Sequence, residues 1–346
     1  MSFDPLWLVA AFGGGIFGAA FGAVPAFIMM GFAIIVGTAL QLSTGDATFF
    51  NVVGLGPVLG PQISFASGCV AAAYAARVGK FPSGRDIFPA LLGLDAPDVL
   101  LVGGISGALG YVFWWAFANL PPIGQTGATN PIAASIMVNL FIARLLFGKK
   151  GGVLGGLFGK VREGDNRWLP TEVANWLPWQ SRPLQLLVLG VGLGLGVSWS
   201  TIQAPGLSHG MFGLWFGVAA AGLVFLQFGV KVPVWHHIAL AAAQAIVVGG
   251  GDIWWGVTFA LVAAYLGELF AGLFLIHGDT HIDPPTAALV VTFTLTAVLK
   301  EAGAFQLSGA PVIVIAAVVA AAGYGLIFAL RHGEGGFGTS AAPATV

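Results

Sequence analysis

Charge is scarce in this 346-residue chain: Asp, Glu, Lys and Arg together make up 8% of it, against about a quarter of an ordinary soluble domain. The formal net charge is −1, which excludes the basic surface that nucleic-acid binding requires. Cysteine occurs once, at Cys69 within an apolar stretch, so neither a disulfide within the chain nor a cysteine-based metal site can be built. A nucleophile elbow, an HExxH motif, paired cysteines and a nucleotide-binding signature are all missing. None of the many glycines forms a phosphate loop, because none precedes Lys-Ser or Lys-Thr. No enzyme and no cofactor is expected. The start, Met-Ser-Phe-Asp-Pro-Leu-Trp, lacks the basic region of a signal peptide, so the first apolar span is expected to be retained.

Hydrophobic residues make up 57% of the chain, and mean hydropathy is +0.91. Uncharged stretches at 5–45, 99–143 and 183–230 each offer room for two membrane crossings at roughly 20 residues apiece. The pattern predicts helices near 6–23, 26–41, 62–79, 97–118 and 130–147, then near 183–199, 211–227, 236–250, 253–276 and 284–299, with an eleventh near 310–330. The stretch 48–61 is apolar but full of helix breakers; it is too short to cross and reads as a re-entrant or interfacial segment. With the N-terminus placed outside, every Lys and Arg except Lys300 falls on one face, as the positive-inside rule expects of a cytoplasmic side.

One motif is written twice. Gly124-Gln125-Thr126-Gly127-Ala128-Thr129-Asn130-Pro131-Ile132-Ala133-Ala134 recurs as Gly278-Asp279-Thr280-His281-Ile282-Asp283-Pro284-Pro285-Thr286-Ala287-Ala288, both in the form G-x-T-x4-P-x-A-A. The copies precede the fifth and tenth helices. A duplicated unit with an odd number of spans inserts its copies in opposite senses, as inverted-repeat transporters do. The expected fold is therefore an all-α membrane protein of about 11 transmembrane helices, a 5+5 inverted repeat plus one C-terminal helix. Residues 1–148 form the first repeat, 149–182 a cytoplasmic linker and 183–300 the second repeat. Residues 301–332 form the extra helix, and 333–346 a disordered cytoplasmic tail.

Proline at 131 and 285 suits the first turn of a helix, with Asn130 as one N-cap and Asp283 or Pro284 as the other boundary. Helix starts within a membrane could turn free N–H groups and positive dipole ends toward a polar or anionic solute. Gln125, Thr126, Asn130 and Pro131 from the first copy, and Thr280, Asp283, Pro284, Pro285 and Thr286 from the second, are the expected pore or binding residues. Asp279, His281 and Asp283 alternate, and His236 and His237 open the eighth helix. These are metal-ligating residue types, yet a solvated cytoplasmic turn with a capping aspartate is the expected form, because the first copy lacks the counterparts. Glu268, within the ninth helix, is the candidate proton or cation coupling residue; the alternative is a hydrogen-bonded structural carboxyl. The glycine sets Gly14/Gly18/Gly22, Gly103/Gly107 and Gly190/Gly192/Gly194/Gly196 read as small-residue faces for close helix contacts.

The Asn-Pro and Asp-Pro-Pro helix openings within a five-plus-five plan loosely resemble the urea-transporter family, and the Pro-Pro before a small-residue helix is similar to the HPP membrane family. Both resemblances cover the fifth and tenth helices alone. The Thr-Gly or Ser-Gly pair and leucine run of the urea-transporter signature are replaced here by Ile132-Ala133-Ala134 and Thr286-Ala287-Ala288. The reading is a transporter or channel of the bacterial inner membrane for a small neutral or anionic solute, with its C-terminus in the cytoplasm. Its expected partners are the lipid bilayer and that solute, without nucleic acid, and a homo-oligomer is among the allowed forms. A non-transporting scaffold or accessory subunit is the rival reading and predicts a dry, packed interior between the motifs. A membrane metalloenzyme is the third.

Overall fold

The computed structural model describes residues 2–120, 129–149, 176–204 and 208–313, with 315, 316, 318, 322 and 323 beyond them. Gln125 and Thr126, most of the linker and of the expected eleventh helix, and the tail from 333 lie outside the described residues. The described residues form an all-helical structure: α1 (Pro5–Phe21), α2 (Ala23–Thr44), α3 (Ser64–Arg77), α4 (Pro97–Asn119), α5 (Pro131–Phe147), α6 (Pro183–Gln203), α7 (Ser208–Ala221), α8 (Val224–Gln227), α9 (His236–Val248), α10 (Ile253–Phe270) and α11 (Pro284–Glu301). Proline opens α1, α4, α5, α6 and α11, where the missing N–H breaks no intrahelical bond. Four helices, Ala23–Thr44, Pro97–Asn119, Pro183–Gln203 and Ile253–Leu275, are long and apolar enough to cross a membrane.

Two expected helices are not uniform. The seventh breaks between α7 and α8, and the ninth passes from α-helix to a π-helical turn at Ala271–Leu275. The apolar stretch after α2 forms a π-helical turn at Phe50–Gly54 and then irregular turns. It folds back onto α2, where a side chain at Gly37 would come within 2.7 Å of Phe50 Cα.

Outward faces carry apolar stripes at helical spacing. Leu101, Ile105 and Leu109 lie exposed along α4, and Leu184, Val188 and Trp199 along α6. Exposed aliphatic rows of this kind destabilise a protein in water and suit hydrocarbon. Inward faces use glycine: a Cβ at Gly107 would lie 2.7 Å from Gly15 Cα, so α1 and α4 cross backbone on backbone. The glycine run of α6 divides by face. Gly190 and Gly194 pack against Leu261 and Val257 of α10, whereas Gly192 and Gly196 meet nothing within 4 Å. The expectation of one four-glycine packing face is thereby corrected. The 3.6-residue period puts alternate members of an i, i+2 series on opposite sides.

Packing in one half of the chain recurs in the other. Helix α1 packs on α3 and α4, and α6 on α9 and α10; α4 packs on α5, and α10 on α11; α2 meets α3, and α7 meets α9. The halves join where α2 meets α7 and where α5 meets α11. At the first of these joints, a Cβ at Gly31 would lie 2.9 Å from Gly217 O and one at Gly217 the same distance from Gly31 O.

Candidate functional site

A residue followed by proline is driven out of the α region. That places Asn130 (φ −83°, ψ 113°) and Asp283 (φ −76°, ψ 113°) in extended conformation immediately before α5 and α11, the geometry of an N-cap. Asn130 Oδ1 accepts from Ile132 N at 3.0 Å and Ala133 N at 3.2 Å. Asp283 Oδ2 accepts from Thr286 N at 2.9 Å and from the Thr286 hydroxyl at 2.5 Å, while Oδ1 pairs with His281 Nε2 at 3.3 Å.

These caps correct the expectation of free N–H groups. At α5, Pro131 has none, Ile132 and Ala133 are capped, and Ala134 N donates to Asn130 O at 3.0 Å. At α11, Pro284 and Pro285 have none, Thr286 is capped, and Ala287 N donates to Asp283 O at 3.1 Å. Neither start offers an unused amide to an anion, and the carboxylate of Asp283 opposes the positive dipole end of α11.

The two starts lie side by side in antiparallel sense. The Thr129 hydroxyl donates to Val290 O, in the second turn of α11, at 3.2 Å. At the far end of α5, the buried guanidinium of Arg144 holds the second motif before α11 begins. Its Nε donates to the Thr280 hydroxyl and its Nη2 to Thr280 O at 2.7 Å and Phe274 O at 2.9 Å. Gly278 lies against that guanidinium, and any side chain there would collide with it. The segment 83–88 adds a short parallel pairing of Gly84 with Thr280, with His281 N donating to Gly84 O at 3.0 Å. Arg85 Nη1 donates to Ile276 O at 2.6 Å. Thr280, His281, Asp283 and Thr286 are all buried, so the solvated turn expected here is instead an internal, clamped segment. Alternation does not keep its polar groups together either: Asp279 accepts from Lys149 N at 2.5 Å, away from the His281–Asp283 pair.

Between the halves lies a cavity of about 1110 Å³. Helix α5 contributes Asn130, Ile132, Ala133 and Ile136, and the second motif with α11 contributes His281, Asp283, Thr286 and Leu289. Aromatic walls come from Phe27, Phe65, Phe212 and Phe216. The lining also includes Phe50, Leu55 and Pro61, the linker residues Trp176 and Trp179, and, beside the segment that leads into α11, Ser83, Arg85 and His277. Trp179 Nε1 donates to Val232 O at 3.0 Å, and Gln180 exchanges two bonds with the backbone of Val234, which fixes that part of the linker against the cavity.

Of the expected site residues, Asn130, Asp283 and Thr286 line this cavity, as do His236 and His281. Pro131, Thr280, Pro284 and Pro285 shape the helix starts without lining it. Glu268 and His237 stand apart. Both are buried; neither the Glu268 carboxylate nor the His237 ring has a hydrogen-bond partner among the described residues. The Ser181 hydroxyl lies beside Glu268 but is donated to Leu177 O at 2.7 Å. Among the described residues, no group of three or more His, Cys, Asp and Glu is arranged to hold a metal ion. The candidate ligands are divided between the Lys149 contact of Asp279, the His281–Asp283 pair and the first two residues of α9, of which only His236 lines the cavity.

This defines an all-helical protein with several helices apolar enough to cross a membrane and an internal cavity where two similarly packed halves meet. A family model described as "Family of unknown function (DUF7973)" matches the chain twice, over residues 1–157 and 158–316, and the chain belongs to that family. The urea-transporter and HPP resemblances find no support from it. No curated protein and no solved structure matches the chain.

Proposed function

We propose that the protein is a membrane transporter or channel that passes an uncharged solute through the cavity between the starts of α5 and α11. The single observation that carries the reading is that cavity, which is bounded by both copies of the duplicated motif. A non-transporting scaffold would pack this seam dry. Anions are disfavoured, since the amides of both starts are consumed and Asp283 contributes the charge nearest them.

In this reading the halves are inverted repeats of five spans related by an axis in the membrane plane, with one further C-terminal span. The support is the recurring helix pairing, the meeting of α2 with α7 and of α5 with α11, and the twofold family match. The sorting of Lys and Arg supports an orientation with the N-terminus outside the inner membrane and the C-terminus in the cytoplasm. Glu268, off the cavity wall, would couple protons or cations only through the packing of α10 against α11.

The test is flux. Purified protein in proteoliposomes is expected to raise the entry of small uncharged solutes, read by stopped-flow light scattering, above empty liposomes. Ile136→Trp, which puts an indole into the cavity beside the start of α5, should lower it toward the background. Equal rates with and without protein across a graded panel of neutral solutes would end the transport reading and leave the scaffold.

A further inference from the structure

The walls and polar groups of the cavity are specific enough to name a class of ligand. Resting on the transport reading for its location, but not for its chemistry, we infer that the cavity is a binding site for an uncharged molecule with a flat apolar body and a single hydroxyl or carbonyl group.

Size narrows the class first. At about 1110 Å³, the cavity is at or above the upper end of ordinary ligand pockets, far beyond what a molecule of the dimensions of urea fills. The walls narrow it further. Phe27, Phe65 and Phe216 surround the imidazoles: Phe27 and His236 have ring centroids 5.0 Å apart, Phe216 and His236 6.2 Å, and Phe65 stands edge-on to His281 at 6.2 Å. Faces and edges of this kind attract a planar apolar body through offset and edge-to-face contacts.

The polar groups decide the rest. The carboxylate of Asp283 is engaged by His281 and Thr286, and the side-chain oxygen of Asn130 by two amides. Among the described residues, no hydrogen bond is made by the Asn130 amide nitrogen, a donor, or by the ring of His236, whose Nδ1 is fully shielded. Since Nδ1 is shielded, Nε2 is the nitrogen of this cavity-lining ring that is left for a ligand. One hydroxyl can donate to or accept from Nε2, and a hydroxyl or carbonyl can accept from Asn130. Arg85, which lines the cavity at the end where α11 begins, spends one N–H on Ile276 O, and the carboxylates of Asp86 and Asp283 stand among the same lining residues, so the described wall offers no net positive charge to an anion.

The probe is 1-naphthol, measured by equilibrium dialysis against the full-length protein in lipid nanodiscs, with empty nanodiscs subtracted. Saturable binding of one or a few molecules per chain is expected, since the cavity is larger than a single 1-naphthol. Naphthalene, which lacks the hydroxyl, and 1-naphthalenesulfonate, which carries a charge, should each bind about tenfold more weakly or worse. His236→Phe keeps the aromatic wall and removes the nitrogens; Asn130→Asp keeps the capping oxygen and removes the donor. Each should weaken 1-naphthol binding by roughly tenfold, and Ile136→Trp should lower it as well. The ligand comparison on the unmodified protein needs no variant to fold. Sulfonate binding as tight as naphthol, or no saturable naphthol binding, would overturn the inference even if small-solute flux were measured. Naphthol binding without any flux would sustain it and sink the transport reading instead.

Discussion

The starts of α5 and α11 occupy corresponding places in the two halves and are built with different means. At α5, an uncharged Asn130 caps two amides through its oxygen and lines the cavity. At α11, a charged Asp283 caps one amide, takes the Thr286 hydroxyl and pairs with His281, while the segment before it is tied down by Arg144 and the 83–88 segment. Helix α11 has no equivalent of Arg144, since Val298 stands at the corresponding position. One side of the seam is therefore a plain capped helix, and the other a clamped polar turn that crosses between halves. The two copies are alike in sequence and unlike in bonding.

Breaking the clamp should cost most. Arg144→Met leaves the carbonyls of Phe274 and Thr280 buried without their donor, and each such loss costs about 1–3 kcal/mol. A total destabilisation of about 3 kcal/mol or more is expected in SDS-titration unfolding, with Val298→Ala, at an exposed position of α11, changing stability by about 0.5 kcal/mol or less. Arg144→Lys should not restore stability, because an ammonium cannot serve the Thr280 hydroxyl and two carbonyls from one planar fork. Equal costs for Arg144→Met and Val298→Ala would show that the asymmetry is not one of stability.

The caps come next. Asp283→Ala is expected to cost about 2 kcal/mol and Asn130→Ala about 1 kcal/mol in the same assay, since Asp283 also serves Thr286 and His281. Asp283→Asn should recover most of the loss, as an amide oxygen still caps. If Asn130→Ala proved the costlier change, the two starts would have to exchange roles.

Much of this frame is legible in the residues. Long uncharged runs bounded by proline and by basic clusters mark the helices, and Asn-Pro and Asp-Pro mark the two N-caps, because both signals are local. The illegible part depends on register between distant elements. Arg144 reads as one more basic residue at a helix end until α5 is laid antiparallel to α11 and Gly278 makes room for its guanidinium. Asp279, His281 and Asp283 share a face only if the segment is straight, and the pull of Lys149 on Asp279 bends that expectation. The cavity walls are the least legible part. Phe27, Phe65 and Phe216 come from α2, α3 and α7 and look like any core phenylalanine in sequence. The free amides expected at the helix starts fail on a local count that needs no structure: proline donates nothing, and the caps consume the next amides.

The subtlest contrast lies within a single helix. In α6, Gly194 and Gly192 are two residues apart and identical in sequence terms, but a Cβ at 194 would lie 2.9 Å from Ala260 Cβ and 3.0 Å from Val257 Cα, whereas one at 192 meets nothing within 4 Å. Gly194→Ala forces α6 away from α10 and is expected to cost about 1–2 kcal/mol. Gly192→Ala adds a methyl to an open face and relieves the helix of a flexible residue, so it should raise stability by about 0.5–1 kcal/mol. The sign difference is the test, because both variants gain the same helix propensity. Two destabilised variants would mean that the outward face of α6 is covered as closely as the inward one, which in a membrane would place a second copy of the chain, rather than lipid, against Gly192.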